Sequence, residues 1–161
     1  MSGLLLLAIQ GGSNGGLLMG AALTQRPDLF RAVVCQVPLL DMLRYQKFLI
    51  GKLWVPEHSS ADDPKDFEWL YSYSPYQHVK QGIVYPAILF MTADSDSRVD
   101  PMHANKMTAL LQAQAANGPE RPILLRVDSK AGHGIGKPIS KQLEDNVDIW
   151  SFVFWQLGIS L

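Results

Sequence analysis

The most constraining feature of this chain lies near its start. The uninterrupted apolar run Leu4–Ile9 is followed at once by Gln10-Gly11-Gly12-Ser13-Asn14-Gly15-Gly16, and then by Leu17–Gln25, rich in Leu, Met and Ala. A continuous apolar run of that length suits a strand covered on both faces of a parallel sheet. The glycines make a tight turn, and the stretch after them reads as a helix ending before Pro27. A buried strand feeding a helix through so short a turn implies a β-α-β architecture.

The rest of the chain repeats the alternation. Strands are expected at Arg31–Val37, Pro86–Thr92 and Ile123–Val127. Helices are expected at Asp41–Lys52, Asp66–Ser72, Met102–Ala116 (with Pro101 in its first turn) and Ser140–Leu157. In the last of these, Leu143, Val147, Trp150, Phe154 and Leu157 recur near helical spacing. Pro56–Lys65, Asp94–Asp100 and Ala131–Pro138 read as loops. The fold class is α/β, a doubly wound, mostly parallel sheet flanked by helices in one domain over residues 1–161. Such sheets hold ligands at the carboxyl ends of their strands, and the three polar clusters that follow strands converge there.

Composition narrows the partners. A net charge of −1 with scattered Lys and Arg favours neither nucleic acid nor an anionic membrane. The apolar start is too short to span a bilayer and lacks the basic residues of a secretory signal. The single cysteine, Cys35, sits in an apolar run and excludes an internal disulfide framework. A cytoplasmic location is the expectation from these features.

Gly11-Gly12-Ser13-Asn14-Gly15 matches G-x-S-x-G in its required context between strand and helix. A sharp turn strains the serine backbone, and glycine is expected on both sides to avoid collision. The hydroxyl then stands at a helix N-terminus, where the Asn14 backbone N–H can face developing negative charge. Serine needs a base, and a histidine base needs an orienting carboxylate. In α/β-hydrolases the chain order is Ser, Asp, His. Of the four histidines, His133 alone is flanked by glycines and fed by a strand. His58, His78 and His103 read as structural. For the acid, Asp94 and Asp96 are equivalent on chemistry alone, while Asp100, before Pro101, is placed as a helix cap.

These residues strongly resemble the prolyl oligopeptidase family of serine peptidases. The resemblance rests on Gly11–Leu18, Gln25–Phe30, Asp41-Met42-Leu43, Ile50-Gly51 with Trp54, Phe67–Leu70, Tyr73-Ser74-Pro75, Thr92–Val99 and Lys130–Gly134 with Gly136-Lys137-Pro138. It implies the C-terminal half of an α/β-hydrolase domain. It assigns the acid to Asp96 and gives Arg98 a bond to a substrate carbonyl. It stacks Trp54 on a proline ring and completes the apolar pocket with Leu39, Ile50 and Val99. His58 stands where the family has a pocket tyrosine.

The implied reaction is cleavage of short peptides after proline through an acyl-enzyme, without metal or cofactor. The family's β-propeller, its early sheet strands and an upstream tyrosine that acts as second oxyanion donor are expected to be absent from these residues. That leaves an apolar edge along Leu4–Ile9 for self-association or pairing with the missing N-terminal part. The competing expectations are a catalytically impaired fragment acting as an interaction partner, or a related serine esterase or dipeptidyl peptidase.

Overall fold

The computed structural model describes residues 7–129, 132–133 and 137–160. Its frame is a four-stranded sheet in the order β1 (Ala8–Gly12), β2 (Ala32–Gln36), β3 (Ala87–Ala93), β4 (Ile123–Asp128). All three pairings are parallel, with Ala8 opposite Ala32, Ala32 opposite Ala87 and Ile88 opposite Ile123. Parallel neighbours require crossovers. The first runs through helix α1 (Asn14–Gln25). The second wanders through turns and two short helices, α2 (Val55–His58) and α3 (Pro64–Tyr73). The third runs through α4 (Met102–Gln114), and α5 (Ile139–Leu157) closes the chain.

Alternation along the strands sorts the core into two layers. Val33, Cys35, Ile88 and Phe90 face Met19 and Leu23 of α1 and Met107 and Leu111 of α4. Ala32, Val34, Leu89 and Met91 face Ile149, Phe152 and Val153 of α5. All seven residues of β3 are buried, as expected for a strand with neighbours and helices on every side. A third cluster caps the carboxyl end of the sheet, with Leu39, Met42, Tyr45, Leu70 and Val99 packed on Leu17 and partly on Trp54. It becomes one wall of the site. Among the described residues no helix is long and apolar enough to cross a membrane.

The elements agree with the expected pattern, with four differences. First, β1 runs on to Gly12, so Gln10–Gly12 is strand, and one residue, Ser13, makes the turn into α1. Leu4–Leu6, the start of the expected strand, lie outside the described residues. Second, Asp41–Lys52 is not an α-helix but successive turns with 3₁₀ segments at Tyr45–Lys47 and Gly51–Trp54. Leu49 adopts φ 47°, incompatible with a continuous right-handed helix. Buried Asp41 is held by Arg44 and Gln77. Third, the loop expected at Pro56–Lys65 contains α2, with Pro56 in its first turn, and the start of α3, where the Asp63 carboxylate caps Lys65 N–H at 2.9 Å.

Fourth, α5 buries only part of the stripe its spacing suggests. Leu143, Val147 and Trp150 are exposed, Phe154 and Leu157 are partly buried against the core, and Ile149, Phe152, Val153 and Gln156 face fully inward. The helix carries two apolar stripes. Ion pairs from Asp145 and Asp148 to Arg126 of β4 turn the second one toward the sheet.

Candidate active site

Ser13 sits between the last residue of β1 and the first of α1, with φ 56° and ψ −118°. A non-glycine residue rarely adopts such a backbone, and its cost is sustained only where the surroundings over-determine it. Here the Ser13 N–H donates to the Gln36 carbonyl at 2.9 Å, and the Ser13 carbonyl accepts from Leu17 N–H. Glycine is needed on one side of the serine rather than both. A Cβ on Gly11 would lie 2.5 Å from the Gly15 carbonyl oxygen, whereas one on Gly15 would meet nothing within 4 Å. Close approach also explains Gly16, whose Cβ would lie 2.7 Å from the Pro38 ring. The helix N-terminus is thereby pressed against the segment following β2, and Asn14, its first residue, presents one of the N–H groups without an intrahelical acceptor.

The acid loop follows β3. Asp96 is the carboxylate brought to the imidazole: its Oδ2 accepts from His133 Nδ1 at 2.7 Å, and its side chain has 0% exposure. Its other oxygen, Oδ1, accepts from the backbone N–H groups of Arg98 (2.8 Å) and Val99 (3.0 Å). A buried carboxylate without such donors would be strongly disfavoured. The alternative, Asp94, is exposed and accepts a hydrogen bond from Ser95. Asp100 accepts from Met102 N–H at 2.9 Å, in the capping role expected of it.

His133 has a side chain 10% exposed. A carboxylate can only accept, so Nδ1 carries the proton and Nε2 presents its lone pair to the Ser13 hydroxyl at 3.0 Å. Hydroxyl, imidazole and carboxylate therefore form one chain of contacts from three separate strand ends. The arrangement can pass a proton from Ser13 to His133 while Asp96 fixes the ring. The remaining residues of the glycine-rich loop, Lys130, Ala131 and Gly134–Gly136, lie outside the described residues.

The other histidines have structural partners. Buried His103 accepts from Asp41 N–H at 3.2 Å and Leu40 N–H at 3.4 Å through Nδ1. Burial pushes its pKa down to about 4, against the opposing pull of Asp41 and Asp100. His78 Nδ1 lies 3.0 Å from the Ser74 carbonyl. His58 packs edge-on to Tyr45, with ring centroids 5.8 Å apart.

Beside Ser13 opens a cleft of about 150 Å³, lined by Ser13, Asn14, Leu39, Trp54, Glu57, His58 and Arg98. Six of these seven were candidate site residues on sequence grounds. Ile50 and Val99 are not in the lining. Val99 is buried in the cluster behind Leu39, and Ile50 is half-buried ahead of the 3₁₀ turn that delivers Trp54. Glu57 was not foreseen, because its segment read as loop. Its signal was the spacing from Trp54, three residues earlier, once α2 is a helix. Cys35 is buried, donates to the Gly16 carbonyl, and burial pushes its thiol pKa up, which leaves it inert.

Residues 6–160 match the prolyl oligopeptidase family. The chain is 46% identical over 156 residues to a prolyl endopeptidase of Dictyostelium discoideum, covering 96% of this chain and 20% of that protein. It is 44% identical over 154 residues to a prolyl endopeptidase of Elizabethkingia meningoseptica, covering 95% and 22%. Among solved structures, a prolyl endopeptidase described for its inter-domain dynamics superposes with a TM-score of 0.91 at 53% identity, over 96% of this chain and 22% of that one. Prolyl oligopeptidase B of Galerina marginata, bound to a 35-residue substrate, superposes with a TM-score of 0.88 at 37% identity, over 96% and 22%. The chain thus spans about a fifth of the length of these relatives. On the extent of the family match and of these identities, the chain belongs to the prolyl oligopeptidase family of serine peptidases and has its α/β-hydrolase fold.

Proposed function

We propose that the chain carries the reacting groups of a serine peptidase that cleaves short peptides on the carboxyl side of proline. The observation that carries this reading is the contact chain Ser13–His133–Asp96, at 3.0 and 2.7 Å, beside a cleft walled by Trp54. In the first step His133 Nε2 takes the Ser13 proton as Oγ bonds to the substrate carbonyl carbon. The resulting oxyanion lies at the start of α1, within reach of the Asn14 N–H. His133 then protonates the departing amine as the C–N bond breaks, leaving an ester on Ser13. Water, deprotonated by the same imidazole, attacks that ester and restores the serine. Asp96 holds the ring in one tautomer throughout and stabilises the imidazolium.

Specificity follows from the cleft. The flat Trp54 indole suits a proline ring, both being rigid and apolar. The Arg98 guanidinium donates to a substrate backbone carbonyl, Leu39 and His58 fill the remaining walls, and Val99 supports Leu39 from behind. Asn14 supplies one oxyanion donor, a contact whose removal typically costs about 10²–10³ in rate.

The test is hydrolysis of a fluorogenic Gly-Pro peptide by the purified chain, compared with an activated ester and with Ser13→Ala and Trp54→Ala. Peptide turnover that disappears in Ser13→Ala, and whose KM rises in Trp54→Ala, supports the reading. Ester turnover alone makes the chain an esterase, and no turnover of either makes it an impaired fragment.

A further inference from the structure

His133 lies between two segments whose ends are tied together. Asp128, the last residue of β4, precedes it, and Lys137 follows it just before α5. Lys137 Nζ donates to the carboxylates of both Asp128 and Asp145, the second of these on α5. Arg126 of β4 closes the cluster, pairing with Asp145, with Asp128 at 3.2 Å and with Asp148 at 2.6 Å. Apart from half-exposed Asp148, the members of the cluster are largely shielded from solvent. The side chains of Lys137, Asp128, Asp145 and Arg126 are 11%, 13%, 16% and 21% exposed. Burial opposes ionisation of Asp128, yet the Lys137 hydrogen bond and the neighbouring cations hold its carboxyl below the usual carboxylate range.

Two further observations connect this cluster to the reacting groups. Asp128 stands in register with Ala93, the last residue of β3, and its carbonyl accepts from Asp94 N–H at 3.0 Å. The base of the histidine loop and the base of the acid loop are therefore fixed on one residue. In addition, a cavity of about 100 Å³ lies against Gly132 and His133, with Thr92, Asp128, Lys137 and Asp145 among its lining. Asp96 and Ser13 hold the imidazole through its two nitrogens, and the tie at the two ends of its loop constrains the backbone that carries it.

We propose that Lys137, gripped between Asp128 and Asp145, is a positioning residue that closes the loop on which His133 is carried and so sets the imidazole between Asp96 and Ser13. This inference rests on the serine-peptidase reading above. Lys137 touches none of the reacting atoms and acts through the loop ends. Removing its charge leaves Asp128 and Asp145 without their shared cation, and the histidine free to settle toward the cavity. Misplacing a reacting group by about 1 Å can cost roughly 10²-fold in rate.

The experiment compares the wild-type chain with Lys137→Met, Lys137→Arg and Asp128→Asn. It reads kcat and KM on the Gly-Pro peptide and the low-field proton resonance of the His133 Nδ1–H bound to Asp96. The expected result for Lys137→Met is a fall in kcat of about 10²-fold, KM unchanged, and loss of the low-field resonance. Lys137→Arg, which keeps the charge, recovers most of the lost rate and the resonance. If Lys137→Met does not fold, Asp128→Asn is read in its place with the same expectation. A lowered melting temperature with kcat and the resonance intact would make the cluster merely structural and overturn the proposal. If the wild type itself turns over nothing, the serine-peptidase reading fails, and the resonance alone still decides whether Lys137 positions the ring.

Discussion

The two faces of the sheet are built to different standards of closure. On one face α1 and α4 bury Leu23, Met107 and Leu111 completely against Val33, Ile88 and Phe90. On the other, α5 is the one helix among the described residues. It buries Ile149, Phe152 and Val153, but leaves Leu143 (60%), Val147 (63%), Trp150 (51%) and Trp155 (58%) exposed. The sealed face is also the one whose helix delivers Ser13. Packing there and chemistry at the rim are thus one problem, whereas the outer stripe of α5 is remote from both. Exposed apolar side chains at helical spacing, as at Leu143, Val147 and Trp150, suit a contact surface better than a solvent face.

That contrast can be broken or sharpened by substitution. The largest effect should come from the sealed face. Leu23→Ala should cost about 2–5 kcal/mol of stability, read by denaturant unfolding, because the site is fully enclosed and cannot collapse easily. It should also slow modification of Ser13, since α1 sets the serine backbone. An intermediate effect belongs to His103, which is buried between α4 and the turn after β2. Its folded-state pKa of about 4 lies below the ordinary 6.5, so the neutral form is favoured by folding. Its contribution is fully present above pH 6.5 and is lost as pH falls toward 4, amounting to about 3 kcal/mol. His103→Asn, which retains an acceptor for the Leu40 and Asp41 N–H groups but does not titrate, should flatten acid unfolding across that window. The smallest effect should come from the outer stripe. Trp150→Gln should change stability by no more than about 0.5 kcal/mol while reducing self-association measured by light scattering. A loss of several kcal/mol there would mean that the outer stripe is as integral as the inner one.

Much of this organisation was legible in the amino-acid order, and the illegible parts have specific causes. The strands could be read because parallel strands buried on both faces are continuous apolar runs, as in Ala87–Met91. The serine turn was legible because a one-residue reversal into a helix demands glycine at Gly11, where backbone meets backbone. Asp96 was not separable from Asp94 by pattern, since the choice depends on which carboxylate receives the Arg98 and Val99 N–H groups, a matter of loop conformation. The stretch Asp41–Lys52 misled because helix-compatible residues were overridden by the positive φ at Leu49 and by the tethering of Asp41. The outer stripe of α5 misled for the opposite reason. Its periodicity is genuine, but a helix with two apolar stripes does not announce which faces the sheet, and that was settled by pairing of Asp145 and Asp148 with Arg126 across a long separation in sequence. Glu57 went unseen because short helices opened by proline look like loops.

The central claim is that Ser13 passes its proton to His133 while Asp96 holds the ring, and the most direct measurement is covalent. The folded chain is treated with a fluorophosphonate and the adduct located by peptide mass mapping, alongside His133→Ala and Asp96→Asn. The account predicts modification at Ser13 alone, lost in His133→Ala and slowed by roughly 10⁴-fold in Asp96→Asn. Modification at any other residue, or Ser13 reacting equally fast without His133, would contradict it.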